Sequence, residues 1–263
     1  MAAQTAAGRK KANGIESVAS QQEASPQVHN PLDGKSRTQL HLLRKFFHAL
    51  TGMGFAALYE YFLTQQQTLI FYGALFVVLA AGESLRMRFP NTINRLALRV
   101  TQSLLRSYEK DHASGMVFFV AGMLFCVGFL PKNVAVLSIL YLSIGDPVAS
   151  ACGIKYGRLG PKFGNGKSLV GYIGGLVACA ITTYLYFIRT CRHSLSLVVV
   201  SLIGGFAGST MEVLCGRKIG PEGLGGPIDV DDNLAVPIGS GCIFYAILSL
   251  AFPNFCHDAL SSS

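Results

Sequence analysis

Residues 134–153 read VAVLSILYLSIGDPVASACG, an apolar run that contains one carboxylate, Asp146, followed directly by Pro147. The run has the roughly 20 residues that a helix needs to cross about 30 Å of hydrocarbon. An ionised carboxylate at the bilayer centre costs roughly 2.5 to 3.5 kcal/mol on insertion scales, so an acid inside such a run is a candidate functional residue. The run therefore predicts a transmembrane helix with a functional acid, and Pro147 predicts a helix start or a break beside it.

Apolar runs of similar length recur along the rest of the chain. Of its 263 residues, 51% are hydrophobic and 14% are charged, whereas an ordinary soluble domain carries about a quarter charged residues. Seven runs are candidate spans: 46–63, 68–82, 115–131, 134–153, 169–188, 195–216 and 234–252. The second run is short, so it predicts either a span or a re-entrant or buried helix.

The segment between the second and third runs has a different pattern. Four apolar residues recur at helical spacing while three arginines fall on other faces, as in an amphipathic helix that lies in the membrane interface. The apolar residues are Ile93, Leu96, Val100 and Leu104, and the arginines are Arg95, Arg99 and Arg106. The predicted fold is therefore all-α: a polytopic integral membrane protein with about seven transmembrane helices plus an interfacial amphipathic helix.

The basic residues indicate how the spans are oriented. The net charge is +8, but Lys and Arg lie in short loops between apolar runs and not along one solvated face, which argues against a nucleic-acid partner. With the N-terminus in the cytosol and sides alternating at each span, 19 of the 22 Lys and Arg residues fall on the cytosolic side. Only Lys132, Arg189 and Arg192 fall on the other side. This asymmetry supports seven spans and a cytosolic N-terminus.

The remaining segments and the cysteines contribute few candidate functional residues. Residues 1–40 lack apolar periodicity and predict a disordered cytosolic tail, residues 41–256 predict the membrane-embedded domain, and residues 257–263 a short C-terminal tail. The cysteines form no Cys-x-x-Cys pair and mostly lie inside apolar runs, which favours buried hydrophobic side chains over a disulfide or zinc framework. They are Cys126, Cys152, Cys179, Cys191, Cys215, Cys242 and Cys256.

The same alternation of sides places four clusters of polar residues on the cytosolic side, at or near span ends. The first opens the first span with Arg44, Lys45 and His48. Its cations either contact a substrate or snorkel to lipid headgroups, and His48 is either functional or a structural histidine. The second cluster, Glu83 with Arg86, has the three-residue spacing of a helical ion pair, which favours a structural role.

The third cluster follows Asp146 along the chain. Small residues form a helix stripe that lets either a second helix or a bound nucleotide approach the backbone: Ala149, Ser150, Gly153 and Gly157. The next loop, 155–167, carries four cations and no acid. Backbone amides at the following helix start, with Lys167, Ser168 and Arg158, predict a site for a polyphosphate. The loop is not a Walker A motif, which requires a glycine where this chain has Pro161.

Acidic residues form the fourth cluster. Three of them lie within four positions just before the last span: Asp229, Asp231 and Asp232. Together with Glu212 in the sixth run, they predict oxygen ligands for a divalent cation, Mg²⁺ or Ca²⁺, that bridges protein carboxylates to substrate phosphates. The alternative is a solvated acidic turn.

As an ordered set, these clusters resemble the polyprenol kinase family, which includes dolichol kinases, phytol kinases and the fungal-type CTP-dependent diacylglycerol kinases. The resemblance covers about residues 41–252. It rests on Arg44, Lys45, His48, Glu83, Arg86, Gly145, Asp146, Ala149, Gly153, Gly157, Lys167, Ser168, Gly171, Glu212, Asp231, Asp232, Asn233 and Pro237. Tyr172 stands where relatives often have serine. The compact length is closer to the diacylglycerol and phytol branches than to dolichol kinases.

The resemblance implies that residues 41–256 are a lipid kinase domain that transfers a phosphoryl group from CTP to a lipid alcohol in the endoplasmic reticulum membrane or the nuclear envelope. Diacylglycerol is the expected acceptor, with phytol or dolichol as alternatives. The implied catalytic residues are Asp146, Arg44, Lys45 and Lys167, and Asp146 either accepts the hydroxyl proton or joins the metal shell. The implied nucleotide contacts are Gly153, Gly157, Arg158, Lys167 and Ser168. Asp231, Asp232 and Glu212 would hold the metal, supported by His48, Glu83, Arg86 and Asn233.

Two other classes of protein share some of these features. A phosphatidate cytidylyltransferase uses the same nucleotide and metal chemistry. An ion- or proton-coupled transporter would use Asp146 and Glu212 as intramembrane sites, although its usual sign is an internal repeat with broken helices, and we find no convincing repeat in this sequence.

Overall fold

A computed structural model of the chain describes residues 31–89, 114–189, 195–215, 230–252 and 255, with side chains from Lys45 onward. The described part is helical and contains an isolated β-bridge between Lys162 and Ser168. The helices are α1 (Pro31–Tyr61), α2 (Gln65–Arg88), α3 (Gly115–Phe129), α4 (Lys132–Leu140), α5 (Asp146–Tyr156), α6 (Leu169–Phe187), α7 (Leu195–Leu214) and α8 (Asp232–Ala251). The prediction of an all-α polytopic membrane protein is confirmed.

Five helical segments within the described residues are long and apolar enough to cross a membrane: Gln65–Arg88, Lys132–Leu159, Leu169–Phe187, Leu195–Leu214 and Asp232–Ala251. The second run lies in the 24-residue helix α2, which is long enough to cross a membrane. The third run is the shorter, 15-residue helix α3, and the first run lies in the second half of α1. The total of seven spans stays a prediction.

The structure describes helix from residue 31 onward, while the domain bounds 1–40 and 41–256 stay predictions. Helix α1 begins at Pro31 and so includes the last residues of the predicted tail, 1–40. Proline suits the first position of a helix because its missing amide hydrogen has no partner there. The residues before Thr38 form a unit of their own, and the rest of the chain forms a second compact unit. The predicted amphipathic helix over 93–106 lies outside the described residues.

Helices α4 and α5 form one continuous segment, Lys132–Leu159. A π-helical turn, Tyr141–Gly145, joins them, and a 3₁₀ turn, Gly157–Leu159, follows α5. Pro147 follows the π-helical turn by two residues, and the altered backbone hydrogen bonding of that turn accommodates a residue without a backbone donor, so Pro147 does not break the segment as one alternative predicted. At 1.5 Å per residue its 28 residues span about 42 Å, so its ends project beyond about 30 Å of hydrocarbon.

The two ends of the bundle carry different polar contacts. At the end away from Lys45, the Tyr186 hydroxyl lies 3.0 Å from a Glu60 carboxylate oxygen and 2.7 Å from the Asn133 amide oxygen, which ties α6 to α1 and α4. The cysteines within the described residues are free; Cys126, Cys179 and Cys215 are buried as predicted, whereas Cys152 is half-buried and Cys242 is exposed. The other end holds the residues predicted to be functional.

Candidate functional site

An ion pair between Lys45 and Asp146 joins two elements that lie 101 residues apart in sequence. The Lys45 Nζ lies 2.6 Å from an Asp146 carboxylate oxygen, and their side chains are 10% and 14% exposed. Lys45 also donates to the Ser150 Oγ, one helical turn after Asp146. Because burying an unpaired charge is costly, each of these two ions requires the other in this position.

Close packing of α1 against the π-helical turn brings this pair together. Gly52 on α1 lies directly against Ser143, and a Cβ at Gly52 would collide with the Ser143 side chain. One turn before Gly52, the His48 ring packs on Phe119 of α3 with centroids 4.6 Å apart. One face of α1 therefore packs against both the π-helical turn and α3, next to the turn of α1 that carries Lys45.

A second ion pair connects the loop 157–168 to the end of α7. The Lys167 Nζ lies 2.8 Å from a Glu212 carboxylate oxygen, and it also donates to the backbone carbonyls of Glu212 and Cys215. Asn165 adds two contacts to this connection. Its side-chain NH₂ group donates to the Val213 backbone carbonyl at 2.7 Å, and its side-chain oxygen accepts from the Lys167 backbone amide at 3.1 Å. A cation that binds the final carbonyls of a helix also complements its dipole.

The two ion pairs belong to one charged cluster. Asp146 interacts electrostatically with Lys167 and His48 as well as with Lys45. Glu212 interacts with Asp146 and Lys45 as well as with Lys167. The prediction that distant parts of the chain form one site is thus supported for these residues. Burial raises the pKa of the adjacent Cys215 thiol to about 11, so this group is not a thiolate nucleophile at neutral pH.

The start of α8 contributes acidic residues beside this cluster. Asp231 is the N-cap of α8, and its carboxylate accepts from the backbone and side-chain nitrogens of Asn233, both at 3.0 Å. Asp232 is the first helical residue, and it lines the same cavity as Asp146. The sequence predicted both acids as metal ligands, whereas the structure gives Asp231 a capping role.

We expect Asp231→Ala to lower the free energy of unfolding by about 1 kcal/mol, because the first turn of α8 loses its side-chain acceptor. Asp231→Asn should change this free energy by only a few tenths of a kcal/mol, since asparagine caps as well as aspartate. Unfolding of the detergent-solubilised protein measures both. Equal losses in the two variants would show that the charge, and not the cap, is what matters.

A cavity of about 200 Å³ links Lys45 and Asp146 to the start of α8. Its polar end is formed by Lys45, His48, Asp146, Asp232 and Asn233. Its other walls are largely apolar and come from α1, α2 and α3: Phe47, Thr51, Phe55, Leu75, Leu79, Met116, Phe119 and Val120, with Ser114 and Gly115 at the start of α3. The cavity therefore has a polar end and an apolar part, which match the polar and apolar parts of an amphipathic ligand.

The described residues support only part of the predicted set of metal ligands. Within the part of the chain that the structure describes, no three His, Cys, Asp or Glu side chains are close enough to hold a metal by themselves. Glu212 is instead paired with Lys167. Mg²⁺ commonly takes one or two protein carboxylates and fills its shell with substrate phosphates and water. Asp232, which lines the same cavity as Asp146, fits that smaller donor set, while Asp146 is paired with Lys45.

The glycine stripe packs against the start of α6, and the nucleotide contact expected of Gly153 and Gly157 stays a prediction. The space beside Gly153 and Gly157 is filled by Ser168: a Cβ on either glycine would come within 3.1 Å of the Ser168 Oγ. Ser168 is buried and caps α6, accepting from the Gly171 amide at 3.0 Å. The small residues thus let α5 and the start of α6 pack closely, the first of the two alternatives open for this stripe.

The remaining predicted residues have separate surroundings. Glu83 and Arg86 form an ion pair of 2.6 Å, and Glu83 also accepts from the Ser114 amide at 2.8 Å, which ties α2 to the start of α3. This supports a structural role. Arg158 is exposed in the 3₁₀ turn. The side chain of Arg44 lies outside the described residues.

Two residues of the site were not assigned a role from the sequence alone. Ser150 was noted only as a small residue, although its four-residue spacing from Asp146 places both on one helix face. Asn165 lies two residues before Lys167 in the basic loop, where asparagine commonly bonds to nearby backbone. Its contact with Val213 depends on the tertiary fold.

Three similar proteins carry the same name, CTP-dependent diacylglycerol kinase 1. The Schizosaccharomyces pombe protein is 33% identical over 181 residues, which are 66% of this chain and 78% of that protein. The Eremothecium gossypii protein is 29% identical over 235 residues, 81% of this chain and 69% of that protein. The Saccharomyces cerevisiae protein is 27% identical over 233 residues, which are 80% of this chain and 74% of that protein. No family model and no solved structure matches the chain.

Proposed function

This chain belongs to the family of the CTP-dependent diacylglycerol kinases, and we propose that it transfers the γ-phosphate of CTP to the hydroxyl group of diacylglycerol. The observation that carries the proposal is the cavity at the Lys45 and Asp146 pair, which has a charged end and apolar walls. A membrane lipid alcohol has the same two parts, one hydroxyl and a long apolar body.

The proposed reaction is one in-line displacement. The acceptor hydroxyl oxygen forms a bond to the γ-phosphorus of CTP, and the bond from that phosphorus to the β,γ-bridging oxygen breaks. CDP leaves with the bonding electrons, and the hydroxyl proton passes to the Asp146 carboxylate, so the products are phosphatidate and CDP. Phosphoryl transfer depends mainly on positioning and on charge stabilisation, and it requires no covalent nucleophile.

Cations around Asp146 neutralise the transferring phosphate in this proposal. Lys45 and Lys167 act from the two ion pairs described above, while the exposed Arg158 contacts the nucleotide as it arrives from the cytosol. Arg44 stays a predicted member of the same group. A Mg²⁺ ion held by Asp232 and the phosphates would add further charge neutralisation.

The position of the site in the membrane follows from the charge count. Lys and Arg favour the side that carries Lys45, Lys167 and the start of α8, so we place this end and the N-terminus in the cytosol, where CTP is available. We propose the endoplasmic reticulum membrane as the location, with the nuclear envelope as the alternative.

Labelled CTP tests the reaction class in membranes that contain the protein. If the γ-phosphate label appears in a lipid product and the α-phosphate label does not, the protein is a kinase. Transfer of the α-phosphate label would instead indicate a cytidylyltransferase. Ion flux in liposomes without any nucleotide turnover would indicate a transporter.

We expect Lys167→Met to raise the KM for CTP about 10- to 100-fold, because it removes a charge-assisted hydrogen bond to phosphate. Steady-state kinetics with CTP as the varied substrate measure this effect. Glu212→Gln is the matched control, since it breaks the same ion pair but keeps the ammonium group. An equal rise in KM for both variants would show that Lys167 acts through the ion pair and not on the phosphate.

A further inference from the structure

The apolar part of the cavity lies between α1, α2 and α3, and it leads away from Asp146 into the membrane. We propose that it holds one acyl chain of the acceptor, with Leu79 as a side wall and Phe55 as the floor that limits the chain length. This inference rests on the proposed lipid kinase activity and adds to it the part of the protein that selects the acceptor.

The depth of the cavity corresponds to one leaflet. Phe47, Thr51 and Phe55 follow one another at four-residue spacing and form a single face of α1 below Lys45. The ten residues from Lys45 to Phe55 span about 15 Å of helix, half of about 30 Å of hydrocarbon. An acyl chain fills the same depth in its own leaflet, whereas a polyprenol much longer than a leaflet cannot be enclosed.

The floor of the cavity is held in place by aromatic packing. The Phe55 ring lies 5.5 Å from the Tyr72 ring and 6.4 Å from the Phe119 ring, measured between centroids. The Tyr72 hydroxyl donates to the Phe55 carbonyl at 2.7 Å, and both Tyr72 and Phe119 are buried. Because these neighbours are fixed, a chain that reaches Phe55 cannot extend further without displacing a packed ring.

One wall of the cavity includes side chains that are exposed on the surface. Phe47 of α1 and Met116 of α3 both line it, yet they are 49% and 50% exposed. Phe47 lies two residues after Lys45, so this exposed part of the cavity wall is near the charged cluster. A lipid in the cytosolic leaflet therefore enters sideways, and its hydroxyl reaches Asp146 while its chain stays in an apolar environment.

Two substitutions test the proposed wall and floor. Leu79→Trp should lower kcat/KM for dioleoylglycerol at least about tenfold, because the indole fills the space of the chain. Its KM for CTP should not change. The matched control is Val78→Trp on the same helix, where the native side chain is 68% exposed and does not line the cavity. Phe55→Trp raises the floor, so the ratio of activity on dioleoylglycerol to activity on dioctanoylglycerol should fall about fivefold.

Photocrosslinking of the unmodified protein provides a test that is independent of variant folding and of catalysis. A diacylglycerol with a diazirine near one acyl terminus should label peptides that contain Phe55, Leu79 or Val120, and excess dioleoylglycerol should prevent this. Labelling confined to the exposed faces of α6 and α7, or equal kinetics of Leu79→Trp and Val78→Trp, would overturn the inference. If the wild-type protein transfers no phosphate to diacylglycerol, the proposed function fails instead.

Discussion

Asp146→Asn is expected to reduce phosphoryl transfer to diacylglycerol at least about 100-fold, because it removes the proposed proton acceptor. The amide has nearly the same shape as the carboxylate, so the cavity should keep its form. The substitution also leaves Lys45 buried beside a neutral group, and breaking a buried ion pair in this way costs about 3 to 5 kcal/mol. Activity must therefore be expressed per folded molecule, with folded protein quantified by size-exclusion chromatography in detergent.

A control for this loss of stability is available elsewhere in the bundle. The Tyr141 hydroxyl and the Thr183 Oγ1 form a buried hydrogen bond of 2.7 Å. Thr183→Val leaves the Tyr141 hydroxyl without this partner at a cost of about 1 to 3 kcal/mol. This variant should lose stability but keep its activity per folded molecule. Normal turnover by folded Asp146→Asn protein would rule out Asp146 as the proton acceptor.

The second large effect is expected at Asp232. Asp232→Asn should raise the Mg²⁺ concentration for half-maximal activity at least about tenfold. Mutation of a residue that only hydrogen-bonds to a metal ligand already lowers metal affinity by about 10- to 100-fold, so loss of a ligand should lower it at least as much. Titration of activity with Mg²⁺ at saturating CTP measures the shift. Ca²⁺ in place of Mg²⁺ tests the alternative ion.

Asp231→Asn is the matched control for this titration. Its native carboxylate caps α8, and asparagine keeps the cap, so the Mg²⁺ requirement should stay close to that of the wild type. An unchanged requirement in Asp232→Asn would remove Asp232 from the metal shell. A large shift in Asp231→Asn would return Asp231 to the predicted ligand set.

The helical architecture could be predicted because each membrane span is encoded locally by its own apolar run. Five of the predicted runs coincide with helical segments long enough to cross a membrane. The extent of α2 was underestimated because its polar ends, beginning at Gln65, carry no hydrophobic signal. The π-helical turn before Asp146 could not be predicted either, since it has no signature in hydropathy.

The members of the site could be predicted better than their roles. Intramembrane and interfacial polar residues are costly, which directed attention to Asp146, Lys45 and Glu212. Their partners depend on tertiary packing: Lys45 meets Asp146 because α1 fits closely against the π-helical turn. The stripe containing Gly153 suits a helix or a nucleotide equally well in sequence, and its packing against Ser168 becomes visible only in the tertiary structure.

Phosphorylation of diacylglycerol by the purified chain is the most direct test of the proposed function. The protein is reconstituted in lipid nanodiscs with dioleoylglycerol, Mg²⁺ and γ-labelled CTP, and parallel reactions contain γ-labelled ATP, phytol or dolichol. We predict labelled phosphatidate with CTP and diacylglycerol, at a rate well above those with ATP or the other alcohols, and none with Asp146→Asn. Absence of labelled phosphatidate from folded wild-type protein, or equal labelling with Asp146→Asn, would contradict the proposal.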